Sequence, residues 1–136
     1  MTIKSKFIFF MLMFAITLLP LSLMAYKVKE VESSQGKDIP RKSKLWAKEG
    51  RIVGELKRPP GKFTIEVRRQ GSNAPILTEE HYGYLTIFET AFIAPGKYVI
   101  TIKAEGYIDH ITKNVTVKPG NDCMLYLSFG TIAYIR

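Results

Sequence analysis

Residues 92–107 combine a turn, an alternating strand and a glycine break, and they constrain the fold of this chain more than any other segment. Pro95 sets φ for the first corner of a type II turn and Gly96 tolerates the positive φ at the second, so the chain should reverse before Tyr98. Apolar side chains then recur at every second position, which is typical of a half-buried strand. The residues assigned a structural role in this unit are Pro95, Gly96, Tyr98, Gly106 and Tyr107.

Other short β-rich runs between residues 50 and 129 alternate with Pro, Gly and Asn turn signals, and none has a convincing helical period. About seven strands at this spacing predict an all-β fold, a small antiparallel sandwich of two packed sheets. The candidate strands are 51–56, 63–67, 76–79, 84–88, 90–93, 98–104, 111–118 and 124–129.

The N-terminal segment has the order of a secretory signal peptide. Lys4 and Lys6 precede an uncharged apolar run at 7–26, with Ala25 as a small residue before a cleavage point. Residues 1–25 are therefore predicted to direct export, to the periplasm, the cell surface or the medium. The alternative is a retained membrane anchor, because twenty uncharged residues could just span a bilayer.

Two further segments flank the predicted sandwich at 50–129. Residues 26–49 are polar and poorly periodic, which favours a basic tether. Residues 130–136 continue the last strand in apolar, β-branched residues, so they could add a strand to a partner or to a second copy of the chain. The alternative is an ordinary last strand on the domain's own sheet.

Positive charge is concentrated in one part of the sequence. The chain carries a formal net charge of +8, and residues 41–69 hold ten Lys and Arg against three Glu. A clustered positive field attracts anionic envelope polymers or lipids, less so at high salt. The alternative is a solvated basic face. The patch comprises Arg41, Lys42, Lys44, Lys48, Arg51, Lys57, Arg58, Lys62, Arg68 and Arg69.

Few residues favour catalysis or metal binding. Cys123 is the single cysteine, and beside Met124 and Leu125 it resembles a small core hydrophobe. His81 and His110 lack the spacing of a zinc site. We therefore expect no enzyme activity, no metal and no cofactor. Nucleic acid is not expected as a partner, since the basic segment lacks an ordered aromatic pattern and the chain is predicted to leave the cytoplasm.

Several motifs together resemble the carboxypeptidase regulatory-like domain. They are Gly50-Arg51-Ile52-Val53-Gly54, Phe63-Thr64-Ile65-Glu66-Val67, Phe88-x-Thr90-x-x-Ile93-x-Pro95-Gly96-Lys97-Tyr98 and Gly106-Tyr107. The resemblance covers residues 50–129 and implies a transthyretin-like, prealbumin-type sandwich of seven or so strands. It also implies a noncatalytic accessory unit with a carbohydrate-binding-like fold. A transthyretin-related hydrolase is disfavoured, because the chain ends Tyr134-Ile135-Arg136 where that enzyme has Tyr-Arg-Gly-Ser.

Aromatic side chains in loop and tether segments are the candidate binding residues. Tyr82 and Tyr84, with His81 as a neighbour, lie in the loop region around the predicted strands 76–79 and 84–88, and Trp46 lies in the predicted tether. The first hypothesis is a noncatalytic envelope module that contacts a protein or a glycan through loops and sheet edges. The second is an electrostatic adaptor that uses the basic 41–69 segment, and the third and weakest is a small hydrolase.

Overall fold

Nine β-strands and no helix make up the described part of the chain. The computed structural model describes residues 26–135, with side chains described for 29–130. The predicted signal peptide therefore lies outside the described residues. Within them, no helix has the length and apolar character needed to cross a membrane. The strands are β1 (Tyr26–Gln35), β2 (Ile39–Pro40), β3 (Arg51–Lys57), β4 (Lys62–Arg69), β5 (Pro75–Tyr82), β6 (Ile87–Glu89), β7 (Gly96–Lys103), β8 (His110–Val117) and β9 (Asn121–Ile135).

The strands form two sheets, which confirms the predicted all-β sandwich. The first sheet has the order β1-β9-β3-β6, with β2 also paired to β9, and the second has the order β5-β4-β7-β8. The pairing of β3 with β9 departs from the expected antiparallel pattern, because these two strands run parallel with Gly54 opposite Leu125. These two strands are far apart in sequence, so the crossover that a parallel pair requires is available.

The inner faces follow the alternation predicted from the sequence. On β4, Phe63, Ile65 and Val67 are buried, and on β7 Tyr98 is fully buried. The Tyr98 hydroxyl donates a hydrogen bond to the Ala94 carbonyl oxygen, and burial raises the pKa of Tyr98. A large aromatic residue can occupy the core here because its one polar atom has a partner.

The type II turn predicted at Pro95 and Gly96 is wrong in detail. Gly96 has a φ of 158°, far from the value of about +80° that such a turn requires. It already pairs with Val117 in the ladder between β7 and β8. The strand therefore starts at Gly96, two residues before Tyr98, because the ladder with β8 recruits it. Gly106, the predicted glycine break, has a left-handed φ of 82°, and Tyr107 packs partly buried against the core.

An aromatic cluster joins the two sheets. The ring of Phe63, on β4, lies 5.6 Å from Phe88 on β6 and 5.4 Å from Phe129 on β9, between ring centroids. Phe88 fits because Gly54 has no side chain: a Cβ built there would lie 1.8 Å from the Phe88 ring. Tyr107 extends the cluster with an edge-to-face contact to Phe129 at 5.7 Å. Contacts of this kind add to the stabilisation from burial alone.

The segment predicted as a tether begins with a strand of the sandwich. Residues 26–35 form β1 beside β9, and Val31 is buried in the core. The sequence pattern did not predict this strand, because most of its residues are charged or polar. An edge strand whose backbone pairs with a neighbour needs few inward apolar side chains. At the other end of the chain, β9 runs without interruption through the predicted extension as far as Ile135. Self-association through that extension stays a prediction.

A small polar cluster ties β1 to the edge of the second sheet. Ser33 Oγ lies 2.7 Å from His110 Nε2 and 2.8 Å from Thr112 Oγ1, and both partners are on β8. Burial lowers the pKa of His110, while the charges of Glu30 and Glu32 oppose this shift to a smaller extent. The neutral imidazole is therefore the form that the folded protein accommodates.

The position of His110 predicts a loss of stability in weak acid. Because the pKa of His110 is lower in the folded than in the unfolded chain, its contribution is present above about pH 6.5 and declines as the pH falls toward the folded-state pKa. Urea unfolding at pH 7.5 and pH 5 should show this decline. His110→Gln, which keeps a polar group without titrating, should lose less stability over the same range. Equal losses in the two proteins would refute the assignment.

Candidate functional site

Large apolar side chains are exposed in the segment that joins β5 to β6. Tyr82, Tyr84, Leu85 and Ile87 all project into solvent, and Tyr84 is 80% exposed. The segment is called the β5–β6 surface below and is defined by these four residues. Since β5 and β6 are the outermost strands of their respective sheets, the segment follows one edge of the sandwich. Exposed apolar side chains grouped in this way mark an interaction site more often than scattered ones do.

Close packing between two loops holds the tyrosines in place. The rings of Tyr82 and Tyr84 are stacked with centroids 6.0 Å apart. Between them, the Gly83 N–H donates to the Gly61 carbonyl oxygen at 3.1 Å. A Cβ at position 83 would lie 1.6 Å from the Pro60 carbonyl oxygen, so only glycine allows this approach. The stacked pair therefore rests on the turn that connects β3 to β4.

His81 does not join the tyrosines as the sequence suggested. It lies opposite Phe63 in the β4–β5 ladder and packs against Phe63 and Phe88, with ring centroids 5.8 and 4.9 Å away. Its Nε2 lies 2.9 Å from Glu79 Oε1. Successive strand residues face opposite sides, so the neighbour of an outward Tyr82 must point inward. His81 supports the surface from beneath.

Glu79 connects β5 to the chain that follows β6. One carboxylate oxygen contacts His81, and the other accepts a hydrogen bond from the Ala91 N–H at 2.8 Å. The β5–β6 surface is thus held at both of its ends by one side chain. Such fixation lowers the entropy that a partner would have to remove on binding.

Trp46 lies near the other end of β3, in a loop between β2 and β3. Its ring stacks on Phe92 at 5.5 Å between centroids, and its backbone has a left-handed φ of 57°. Trp46 remains 58% exposed and its neighbour Leu45 73% exposed. Seven extended residues of β3 place about 20 Å between this loop and the β5–β6 surface, so the predicted aromatic residues form two sites.

Arg41 fixes the Trp46 loop to the sandwich. Its guanidinium donates to the carbonyl oxygens of Trp46 at 2.6 Å and Glu49 at 2.7 Å, and it also pairs with Asp122 at 3.3 Å. The same guanidinium lies over the Phe92 ring at 4.7 Å from the centroid. One arginine therefore adds side-chain hydrogen bonds to two carbonyl oxygens that also accept backbone hydrogen bonds, Trp46 from the Glu49 N–H and Glu49 from the Gly120 N–H.

The predicted basic patch is divided by ion pairs and hydrogen bonds. Arg51 pairs with Asp122 at 2.9 Å and with Glu89 at 2.8 Å, which raises the pKa of Arg51 despite partial burial. Lys62 pairs with Glu80 at 3.2 Å. Arg58 donates a hydrogen bond to the Ser128 hydroxyl, and Arg68 donates one to the Ser72 carbonyl oxygen. The Arg69 guanidinium lies over the ring of Tyr98. Within residues 29–130, the patch lysines without an ion pair are Lys42, Lys44, Lys48 and Lys57.

Cys123 is placed as a core residue. Its side chain is buried, and burial raises the pKa of the thiol to about 11. A thiol with this pKa is almost entirely protonated at neutral pH and is a poor nucleophile. Among the described side chains, no group of three or more His, Cys, Asp or Glu residues is arranged to hold a metal ion.

Comparison with protein families gives one match. A family model described as "Heme-binding protein Shr-like, Hb-interacting domain" matches residues 64–118, about two fifths of the chain. The matched part runs from β4 to β8 and includes the whole β5–β6 surface, whereas Trp46 and the basic loop around it lie outside it. Searches among curated proteins and among solved structures gave no match.

Removing Glu79 should test how the surface is held. Glu79→Ala should lower the free energy of unfolding by about 1–2 kcal/mol, because the Ala91 N–H and His81 lose a charged partner. Glu80→Ala is the matched control: it removes an exposed pair with Lys62 and should cost at most about 1 kcal/mol. Urea denaturation measures both. Equal losses would contradict a fixing role for Glu79.

Proposed function

We propose that this chain is an exported, noncatalytic binding module that contacts a protein partner through the β5–β6 surface. The observation that carries the proposal is the stacked pair of Tyr82 and Tyr84, exposed on an edge of the sandwich and held by a glycine contact and by Glu79. Export rests on the charged and apolar order of residues 1–25.

Tyrosine-rich, rigid surfaces suit protein recognition for a physical reason. A tyrosine buries a large area while losing the freedom of only two side-chain torsions, and its hydroxyl can still hydrogen-bond at the rim. The residues that dominate binding energy at interfaces are enriched in tyrosine for this reason. Because the β5–β6 surface is held in place before binding, a partner would gain contact area at little entropic cost.

The partner class proposed is haemoglobin, since the matching family is described as Hb-interacting and the match contains the β5–β6 surface. The same description also mentions haem. In the described part of the chain, His81 and His110 each have Nε2 engaged by a neighbouring side chain, so neither presents that nitrogen to an iron atom. We propose contact with the globin, because the matching domain itself is described as Hb-interacting.

The absence of catalysis also belongs to the proposal. The high pKa of Cys123 and the neighbours of His81 and His110 support structural roles for all three. The resemblance of the sequence motifs to carboxypeptidase regulatory-like domains also supports a noncatalytic unit with a two-sheet sandwich.

Haemoglobin immobilised for interferometry provides the test. The full chain should bind, and the double variant Tyr82→Ala/Tyr84→Ala should bind at least about tenfold more weakly, as expected for loss of central aromatic contacts. Tyr126→Ala, which removes an exposed tyrosine from a different surface, should leave binding unchanged. No binding by the full chain would reject haemoglobin as the partner. Unchanged binding by the folded double variant would reject the surface.

The Trp46 loop supports a second function, attraction to an anionic surface. Lys42, Lys44 and Lys48 surround the exposed Leu45 and Trp46, and residues 42–48 contain no acidic side chain. Lysine charges attract anionic headgroups, and a tryptophan ring favours the boundary between water and lipid. Within the basic segment, this loop is the proposed site of contact, because the arginines beside it are held by internal contacts.

Vesicles containing phosphatidylglycerol test the second function. Each lysine near an anionic surface contributes about 1 kcal/mol, so replacing Lys42, Lys44 and Lys48 by Gln should abolish most co-sedimentation at low salt. A triple Gln variant at Lys97, Lys103 and Lys113 carries the same charge change on the second sheet and is the control. Equal loss in both variants would show that net charge alone is responsible. Retention unaffected by high salt would reject the electrostatic account.

A further inference from the structure

An open groove crosses the outer face of the first sheet and borders the β5–β6 surface, because Glu55 in the groove lies opposite Ile87 in the ladder between β3 and β6. Its volume is about 510 Å³, within the range of pockets that hold small ligands. Side chains from β1, β3 and β9 line it. They include Glu32, Ser34, Glu55, Lys57, Tyr126 and Ser128. The groove lies outside the part of the chain that the family match covers.

Tyr126 forms the floor of this groove and lies across a glycine. A Cβ built on Gly36 would be 2.6 Å from Cε2 of Tyr126 and 3.1 Å from its hydroxyl oxygen. Any larger residue at position 36 would therefore displace the ring. The ring remains 41% exposed and lies directly opposite Glu55 in the parallel ladder between β3 and β9. An aromatic side chain is thus held close to the sheet with part of its surface open to solvent.

The polar groups around the ring offer both acceptors and donors. Glu32 and Glu55 form no salt bridge with the described residues, so their carboxylates are available to accept hydrogen bonds. Lys57 supplies a donor, and Ser34 supplies a hydroxyl that can donate or accept. The Ser128 hydroxyl is held by Arg58 at 3.1 Å.

We propose that this groove is a binding site for a pyranose sugar. A pyranose ring presents an apolar C–H face, which would pack on the electron-rich face of Tyr126, and hydroxyl groups around its rim. Those hydroxyls both donate and accept, matching the two carboxylates, the serine and Lys57. Exposed residues around an aromatic floor on an open sheet face leave room for a chain of sugars to extend beyond the groove.

A simple cation fits the same residues less well. Two carboxylates beside an aromatic ring would attract an ammonium group, but Lys57 lies in the same groove and repels it. A hydroxyl-rich ligand uses all the groups present without placing two positive charges together. Binding measurements with sugars and with a diamine distinguish a sugar site from a cation site.

A glycan microarray carrying neutral, N-acetylated and amino pyranoses is the first test, performed with the full chain. At least one pyranose oligomer should bind, and calorimetry with that oligomer should then give its affinity. Tyr126→Ala should weaken binding by roughly five- to tenfold, the effect of one aromatic contact, whereas Tyr126→Phe should change it less than twofold. Glu55→Gln should weaken binding as well, because a charged acceptor is replaced by a neutral one.

Two controls keep the outcome interpretable. Tyr84→Ala, on the β5–β6 surface, should leave sugar binding unchanged, so failure of this proposal is distinct from failure of haemoglobin binding. Thermal unfolding of each variant checks that the fold persists. Gly36→Ala is a second test of the role of Tyr126, because it displaces the ring while keeping the residue, and it should also weaken sugar binding. Absence of binding to every sugar on the array, equal binding by Tyr126→Ala, or binding only of a diamine such as 1,5-diaminopentane would overturn the proposal.

Discussion

The contact of Phe63 with Phe88 and Phe129 is the interaction on which the arrangement of the two sheets depends. Phe63 belongs to the second sheet, while Phe88 and Phe129 belong to the first. Gly54 leaves the space that Phe88 fills, so the short strand β6 can pair with β3 and still reach the core. Because β6 is fixed in this way, the segment leading into it is fixed too. The exposed tyrosines are therefore a consequence of packing beneath them, and His81 is part of that packing.

Pairing of charges decides which parts of this basic chain remain available to a partner. Arg41 and Arg51 share Asp122 and lie over Phe92, where they organise the loop that carries Trp46. Hydrogen bonds from a guanidinium to several acceptors are directional and hold a loop more firmly than a lysine could. The lysines of the loop form no ion pair with the described residues and stay exposed. Structural arginines and accessible lysines thus occupy neighbouring positions with different roles.

Three surfaces of the sandwich carry different chemistry. The β5–β6 surface is aromatic and apolar, the Trp46 loop is apolar at its tip with lysines around it, and the groove at Tyr126 combines an exposed aromatic ring with charged and hydroxyl groups. The groove borders the β5–β6 surface where Glu55 pairs with Ile87, whereas the Trp46 loop lies near the other end of β3.

The sequence by itself determined the fold class and the strongest strands. Alternation at Phe63, Ile65 and Val67, and again from Tyr98 to Ile102, reports burial directly, because period two is a local property of a strand. The same local reasoning found Tyr82, Tyr84 and Trp46 as exposed aromatic candidates. It missed β1, whose inward positions are mostly polar and whose stability comes from backbone pairing with β9.

Only the tertiary structure decided which residues meet. The parallel pairing of β3 with β9, the fixation of Arg41 and Arg51 by Asp122, and the position of Tyr126 over Gly36 all join residues that are distant in sequence. No periodicity records such contacts, since they depend on how sheets are ordered and stacked. Local side-chain pattern therefore predicted the strongest strands, and the long-range ladders decided where the candidate binding side chains lie.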